Sequence, residues 1–284
     1  MAKNPKKNNN NDYDKNGIPK VKSNVEGKYL LKSLEPYKLS PRNEKQKKAI
    51  KAVRENNITF LIGAVGSGKT TIGCAMAYEL FQSKQFKQII LLRPVTTSKT
   101  EHLGYLKGDM NDKIEPLLLP LKSTFQKIMG KEVYQLFVDM EIIVPFAINF
   151  IEGMTYENSI ILLDEFQNID DETLRSILTR ITDDSKVIVM GDRNQIKLEN
   201  PSLSSAHSTD RFKNKPEISV IEFEEQDIVR GKITRIVESC YKEDSDLFDL
   251  KEGEVIAYND GYIIKGEKKI YNPHSMPEID WIDI

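Results

Sequence analysis

The feature that most constrains the fold is a glycine-rich octapeptide at residues 63–70, which has the spacing G-x-x-x-x-G-K-T. A short apolar run, residues 58–62, precedes it with the composition of a buried strand, and a helical pattern, residues 69–81, follows it. Glycines allow the backbone to curl so that its N–H groups converge on phosphate oxygens, and the positive end of the new helix adds to the attraction. This strand, loop and helix predict a phosphate-binding turn in an α/β domain.

Within the octapeptide, two side chains have positions with a chemical role. Lys69 is placed to bridge the β- and γ-phosphates of a nucleotide, and the Thr70 hydroxyl is placed to bind Mg²⁺. ATP and Mg²⁺ are therefore the predicted cofactors. The predicted nucleotide-binding residues are Gly63, Ala64, Val65, Gly66, Ser67, Gly68, Lys69, Thr70 and Thr71.

Two further apolar runs end in polar residues that suit hydrolysis. Residues 160–163 are followed by Asp164 and Glu165, which we assign to Mg²⁺ and to the attacking water. Residues 187–190 are followed by a glycine, an aspartate and then Gln195, a candidate sensor of the γ-phosphate. Because a kinase acceptor is not water, the carboxylate of Glu165 favours an ATPase over a phosphotransferase.

Short apolar strands alternate with helical patterns along the chain, which predicts a parallel sheet covered by helices on both faces. We expect helix 109–129 to be interrupted by Pro116 and Pro120, and helices at 170–181 and 226–241. The predicted strands are 58–62, 88–92, 159–163, 186–190 and 218–223, with strand-like residues at 141–148.

Charge and composition divide the 284-residue chain into three parts. Residues 1–27 are rich in Asn and Lys and predict a disordered basic head, residues 28–242 hold the ATPase motifs, and residues 243–284 form a small part with an acidic tail. A hairpin is predicted at 253–264 and a third strand at 268–271.

Composition also excludes several classes of protein. With 39% apolar and 30% charged residues the chain is globular, and its apolar runs are too short to span a bilayer. Two cysteines and three scattered histidines give neither a disulfide framework nor zinc-ligand spacing. We therefore expect a cytoplasmic protein with no membrane partner.

Gln46 lies just upstream of the first strand, on a basic helical pattern. A glutamine amide can pair with both N6 and N7 of adenine, so Gln46 is the candidate for adenine selectivity.

Together these motifs resemble the ATPase core of superfamily 1 helicases, and they are most similar to the PhoH-like ATPases. The similarity rests on R-P-V at 93–95, E-H-L-G-Y-L-K-G-D at 101–109, L-L-D-E-F-Q-N at 162–168, G-D with Q-I at 191–196, and D-I-V-R at 227–230. It covers roughly residues 40–242. The resemblance implies a RecA-like P-loop fold and an ATPase that acts on RNA or single-stranded nucleic acid, with helicase activity as one form.

The resemblance also implies a hexameric ring, because a chain with one motor domain lacks the second domain that supplies an arginine to the γ-phosphate. A trans arginine is worth about 10³–10⁵ in rate. Arg230, in the terminal motif, is the first choice for this role and Arg180 the next, with Arg175 and Arg235 as further candidates. The expected nucleic-acid contacts follow the second strand and are Arg93, Thr96, Thr97, Ser98 and Lys99.

Two alternatives remain open from the sequence. One is a nucleotide-switched assembly factor that binds a protein partner, and the other is a P-loop phosphotransferase. A ribonuclease or another protein is a further candidate partner of the ATPase itself.

Overall fold

A computed structural model describes residues 34, 36–94, 110–148, 155–228 and 233, together with the backbone of 255–258, 261–266, 269–271 and 281–283. The chain divides into two compact units, Met1–Val229 and Arg230–Ile284. No helix among the described residues is both long enough and apolar enough to cross a membrane.

The first unit contains a six-stranded sheet in which every neighbouring pair of strands is parallel. The spatial order is β3-β2-β4-β5-β1-β6, so β5 lies between β1 and β4. The carboxyl ends of β1, β5 and β4 therefore lie side by side at one edge of the sheet. The strands are β1 (Ile58–Gly63), β2 (Gln88–Arg93), β3 (Ile143–Ala147), β4 (Ser159–Leu163), β5 (Lys186–Gly191) and β6 (Ile218–Phe223).

The central strands are apolar along their whole length because both faces of the sheet are covered. In β4, Leu162 packs into one hydrophobic cluster and Ile161 and Leu163 into the other, and all three are fully buried. This confirms the predicted parallel sheet with a core on each face.

Helices cover the sheet and are held at their ends by ordinary capping. The side chain of Asn43 accepts a hydrogen bond from the backbone N–H of Gln46 at 2.8 Å, and Asp170 accepts one from Thr173 at 2.7 Å. The helices are α1 (Glu44–Glu55), α2 (Lys69–Gln82), α3 (Met110–Met129), α4 (Lys131–Asp139) and α5 (Asp171–Leu178).

Two expectations about helices were wrong. Helix α3 continues through Pro116 and Pro120, because both prolines lie on its exposed side, four residues apart, while Leu121 and Phe125 hold the helix to the core. Helix α5 ends at Leu178, before the predicted residue 181, since the following residues turn to pair with the segment before β4. The predicted helix 226–241 lies mostly outside the described residues, of which Glu225–Asp227 form a 3₁₀ turn and Ile233 is helical.

The second unit contains a four-stranded antiparallel sheet with the order β10-β9-β8-β7. Its strands are β7 (Val255–Tyr258), β8 (Gly261–Gly266), β9 (Lys269–Tyr271) and β10 (Trp281–Asp283). The register places Tyr258 opposite Gly261, which confirms the predicted hairpin. The sequence analysis did not predict strand β10, which pairs with β9.

Candidate nucleotide-binding and hydrolytic site

The glycine-rich loop leaves β1 at the carboxyl edge of the sheet and leads directly into α2. Gly66 and Gly68 have φ angles of 94° and 92°, which residues with a Cβ atom rarely adopt. A Cβ on Gly63 would lie 2.7 Å from Cβ of Phe223 on the neighbouring strand β6. The loop thus needs glycine both for its curvature and for its close approach to β6.

The Lys69 ammonium lies inside this loop. Its Nζ atom donates hydrogen bonds to the carbonyl oxygens of Gly63 and Ala64, the latter at 2.9 Å, and contacts Oγ of Ser67 at 3.3 Å. Helix α2 begins without a side-chain cap, and Thr70 and Thr71 occupy its first turn. A cation and uncapped N–H groups at one point form a site for an anion such as a phosphate.

Gln46 lies against the same loop, with only 6% of its surface exposed. Its Nε2 atom donates to the carbonyl oxygen of Ser67 at 3.0 Å, and its Oε1 atom accepts from the backbone N–H of Arg42 at 2.9 Å. Gln46 therefore ties α1 to the phosphate-binding loop through Nε2, while its Oε1 holds the turn that precedes α1.

The two predicted acidic residues follow β4 as expected. Asp164 is 6% exposed, and burial raises the pKa of its carboxyl from 3.8 to about 6. Attraction by the Arg93 guanidinium lowers this pKa, repulsion by Glu165 raises it, and Lys69 lowers it further. Glu165 has a left-handed backbone with a φ of 57°, which turns the chain sharply after the strand.

The guanidinium of Arg93 connects both carboxylates. Its Nη2 lies 3.2 Å from Oε1 of Glu165, and its Nε lies 3.9 Å from Oδ2 of Asp164. Its Nη1 donates to the carbonyl oxygen of Leu117 in α3 at 2.6 Å. The sequence analysis did not predict this contact: the parallel register pairs Leu92 with the last residue of β4, which sets Arg93 beside the acidic pair.

A fully buried glutamine, Gln167, joins the ends of β4 and β5. Its Nε2 donates to Oε2 of Glu165 and, at 3.3 Å, to the carbonyl oxygen of Gln195, while its Oε1 accepts from the backbone N–H of Asp192 at 3.1 Å. The side chain of Gln195 in turn donates to Oδ2 of Asp192 at 3.1 Å. The sequence analysis quoted Gln167 within a motif but gave it no role, because no local pattern shows that it spans two strands.

Comparison with known proteins matches this arrangement to one family. The PhoH-like protein family matches residues 38–242. The PhoH-like protein of Mycobacterium leprae is 33% identical over 204 residues, which are 72% of this chain and 58% of that protein. The chain belongs to the PhoH-like family.

Other members of the PhoH-like family show the same degree of similarity. Protein PhoH of Escherichia coli is 33% identical over 197 residues, covering 68% of this chain and 55% of that protein. The PhoH-like protein of Bacillus subtilis is 31% identical over 200 residues, covering 70% and 62%. The chain thus spans less than two thirds of the length of these curated relatives.

The solved structures that match this chain include the Pif1 helicase of Candida albicans. It has a TM-score of 0.34 and 13% identity, and the match covers 76% of this chain and 45% of the helicase. The Phi-28 gp11 DNA packaging motor has the same TM-score and identity, with 80% and 76% covered. The family and the geometry of the phosphate-binding loop show that this PhoH-like chain has the P-loop NTPase fold.

Of the predicted arginines of the PhoH-like chain, Arg175 and Arg180 lie in the described residues. Arg180 follows α5 and its carbonyl accepts from the N–H of Tyr156 before β4, so it lies at the amino edge of the sheet, opposite the phosphate-binding loop. Arg175 is exposed on α5. Arg230 and Arg235 lie outside the described residues, as do Thr96, Thr97, Ser98 and Lys99.

Arg193 is a further residue that the sequence analysis missed. Its Nη2 lies 3.1 Å from Oδ1 of Asp210 and 2.8 Å from Oε1 of Glu222. It thereby ties the turn after β5 to β6, across the carboxyl end of β1. Its sequence signal, one arginine in a polar turn, does not distinguish it from a solvated side chain.

Proposed function

We propose that the protein is a Mg²⁺-dependent ATPase that couples hydrolysis to the binding or remodelling of RNA or single-stranded nucleic acid in a ring oligomer. The observation that carries the hydrolytic part is the position of Asp164 and Glu165. They follow β4, which is separated by one strand from the strand that leads into the phosphate-binding loop. Helicase activity is one form that this coupling could take.

The residues present fit a nucleotide with a divalent cation. The loop from Gly63 to Gly68 offers its N–H groups and Lys69 its ammonium to the phosphates, while Thr70 and Asp164 would hold Mg²⁺. The buried carboxyl of Asp164, with its pKa raised to about 6, is one that a nearby cation would stabilise in the charged form. When bound, Mg²⁺ would neutralise charge that develops on the phosphates.

Glu165 is the proposed general base, which accepts a proton from the attacking water. Gln167 positions it, because the Gln167 amide donates to one of its carboxylate oxygens and is itself held by the turn after β5. Through the same amide, the turn that holds Gln195 is connected to Glu165. This connection supports the proposed role of Gln195 as a reporter of the γ-phosphate.

ATP hydrolysis by the purified protein, with and without Mg²⁺, tests this assignment. Lys69→Ala is expected to weaken nucleotide binding, whereas Glu165→Gln is expected to bind ATP and retain it unhydrolysed. Glu199→Gln, at an exposed glutamate, is the matched control and should hydrolyse ATP like the wild type. Equal hydrolysis by wild type and Glu165→Gln would remove Glu165 from the mechanism.

We propose a ring in which a second chain supplies an arginine to the γ-phosphate and excludes water, as the family resemblance implies. Arg230 is the first candidate for the trans residue. Arg180 is the second, and its place at the amino edge of the sheet allows it to act only on another subunit's nucleotide. Subunits with Lys69→Ala and subunits with Arg230→Ala should each be inactive, and their mixture should recover part of the rate.

The size of the particle and the outcome of mixing test separate parts of this proposal. A fully active monomer at dilution would contradict the ring. A ring whose mixtures show no rescue would exclude Arg230 and leave Arg180 as the next residue to test. Hydrolysis that no single-stranded nucleic acid stimulates would favour the alternative of a nucleotide-switched assembly factor.

A further inference from the structure

A cavity of about 250 Å³ lies beside Glu165 where β2 and β4 end. One of its walls is apolar and consists of Pro94 with the exposed prolines and Leu117 of α3. The opposite wall carries polar groups, and the role proposed above for the P-loop does not use this cavity.

The polar wall offers donors rather than acceptors. It includes the guanidinium of Arg93 and the exposed Lys197. It also includes Asn168, which is 5% exposed and whose Oδ1 accepts from the backbone N–H of Lys197 at 2.7 Å. Within the described part of the chain, the amide nitrogen of Asn168 donates to no other group. Two cations and an unused amide donor suit a phosphate group, and the neighbouring proline rings offer apolar contact to an attached sugar or base.

Glu165, the acidic residue of this wall, has both of its carboxylate oxygens occupied. Arg93 contacts Oε1 at 3.2 Å and Gln167 donates to Oε2. Strand β2, which carries Arg93, lies on the opposite side of β4 from β1. The Arg93 contact therefore draws Glu165 toward the cavity and away from the side of the phosphate-binding loop, where a general base must meet the attacking water.

We propose that the cavity binds one phosphate-bearing nucleotide unit of a single-stranded nucleic acid, and that this phosphate takes Arg93 from Glu165. The proposal rests on the ATPase function above. Arg93 forms bidentate bonds to phosphate as readily as to carboxylate, so the exchange replaces one ion pair with another. Glu165 is then released toward the water, which makes hydrolysis dependent on bound nucleic acid.

The test measures ATP hydrolysis by the full chain with and without an oligouridylate, and with an oligodeoxythymidylate as the second arm. Arg93→Gln removes the ion pair and is expected to raise hydrolysis without nucleic acid by roughly tenfold, with no further stimulation by either polymer. Stimulation of the wild type by either polymer, together with its loss in Arg93→Gln, supports the proposal. The more effective polymer identifies the physiological class.

Asn168→Asp tests the cavity separately from Arg93. It keeps the acceptor for Lys197 but replaces the donor with an anion, so the polymer concentration for half-maximal stimulation should rise about tenfold. Lys197→Ala should also raise the polymer concentration for half-maximal stimulation. Lys131→Ala, at an exposed lysine on α4, should leave that concentration unchanged. Equal half-saturation of wild type and Asn168→Asp would exclude the cavity as the binding site.

The outcomes for Arg93 are equally definite. A folded Arg93→Gln that hydrolyses ATP more slowly than wild type would overturn the restraint on Glu165. If Arg93→Gln has a lower melting temperature than the wild type, Arg93→Lys replaces it in the test. Lysine keeps the positive charge but cannot contact Glu165, Asp164 and the Leu117 carbonyl at once, so hydrolysis without nucleic acid should rise by a smaller factor. A wild type without ATPase activity removes the proposed function instead. Anisotropy of labelled oligouridylate with Lys197→Ala and Lys131→Ala then tests the cavity by itself.

Discussion

Replacing Asp164 with asparagine should stabilise the nucleotide-free protein while abolishing hydrolysis. Asp164 is buried and its pKa is raised from 3.8 to about 6, mainly by burial and in part by repulsion from Glu165. Each pKa unit corresponds to about 1.4 kcal/mol, so the ionised carboxylate costs the folded state about 3 kcal/mol at neutral pH. Asparagine has nearly the same shape and carries no charge, so this cost disappears.

The pH dependence of the free energy of unfolding shows where Asp164→Asn should be the more stable protein. Below the unfolded pKa of 3.8 both states are protonated, and Asp164 contributes nothing. As pH rises toward 6 the unfolded state ionises first, so wild-type stability falls, and above the folded pKa the full cost is present. Asp164→Asn should therefore exceed the wild type in free energy of unfolding by up to about 3 kcal/mol near pH 8. The difference should shrink to about 0.5 kcal/mol near pH 4 and vanish below about pH 3.

Urea denaturation in a chelator, at several pH values, measures this difference. Asp184→Asn is the contrasting control, since hydrogen bonds from Thr182 and the backbone lower the pKa of that exposed carboxyl and the substitution should not stabilise the protein. Added Mg²⁺ with ATP should stabilise the wild type more than Asp164→Asn. The reasoning would be refuted if Asp164→Asn had no higher free energy of unfolding than the wild type near pH 8, or if the difference were equal at all pH values.

Three further substitutions test the site. Gln167→Leu leaves the buried N–H of Asp192 without its acceptor, so we expect roughly 1–3 kcal/mol less stability by urea denaturation and slower hydrolysis; normal hydrolysis would exclude the positioning role. Gln46→Ala should narrow the difference between ATP and GTP affinity in competition binding, and equal wild-type affinity for both would rule out adenine selectivity at this residue. Gly191→Ala would place a Cβ 2.2 Å from Oε1 of Gln167 and 2.6 Å from the Phe166 ring, so its melting temperature and ATPase rate should both fall; an unchanged melting curve would show that the turn can relax.

Local signals were sufficient for the elements and for the nucleotide-binding loop. Buried parallel strands are apolar along nearly their whole length, so residues 159–163 could be predicted within their exact bounds. The half-buried edge strand 218–223 could also be predicted within its bounds. The loop could be predicted because glycine and lysine spacing along eight residues determines its geometry. The two prolines of α3 led to the wrong prediction of a break in the helix. Whether a proline interrupts a helix depends on whether it lies on the exposed side or on the side that packs on the core, and the local sequence does not show this.

The contacts that give the site its character depend on strand order and register. Arg93 and Glu165 are 72 residues apart, and no pattern near either shows that β2 and β4 are neighbours. Gln167 and Asp192 meet because β5 lies beside β4, which also determines that one strand separates the acidic pair from β1. The sequence by itself therefore determined which groups could bind nucleotide and hydrolyse it. Only the tertiary structure decided which donors hold Glu165, because hydrogen bonds between distant segments form only when long-range strand pairing has placed them within reach.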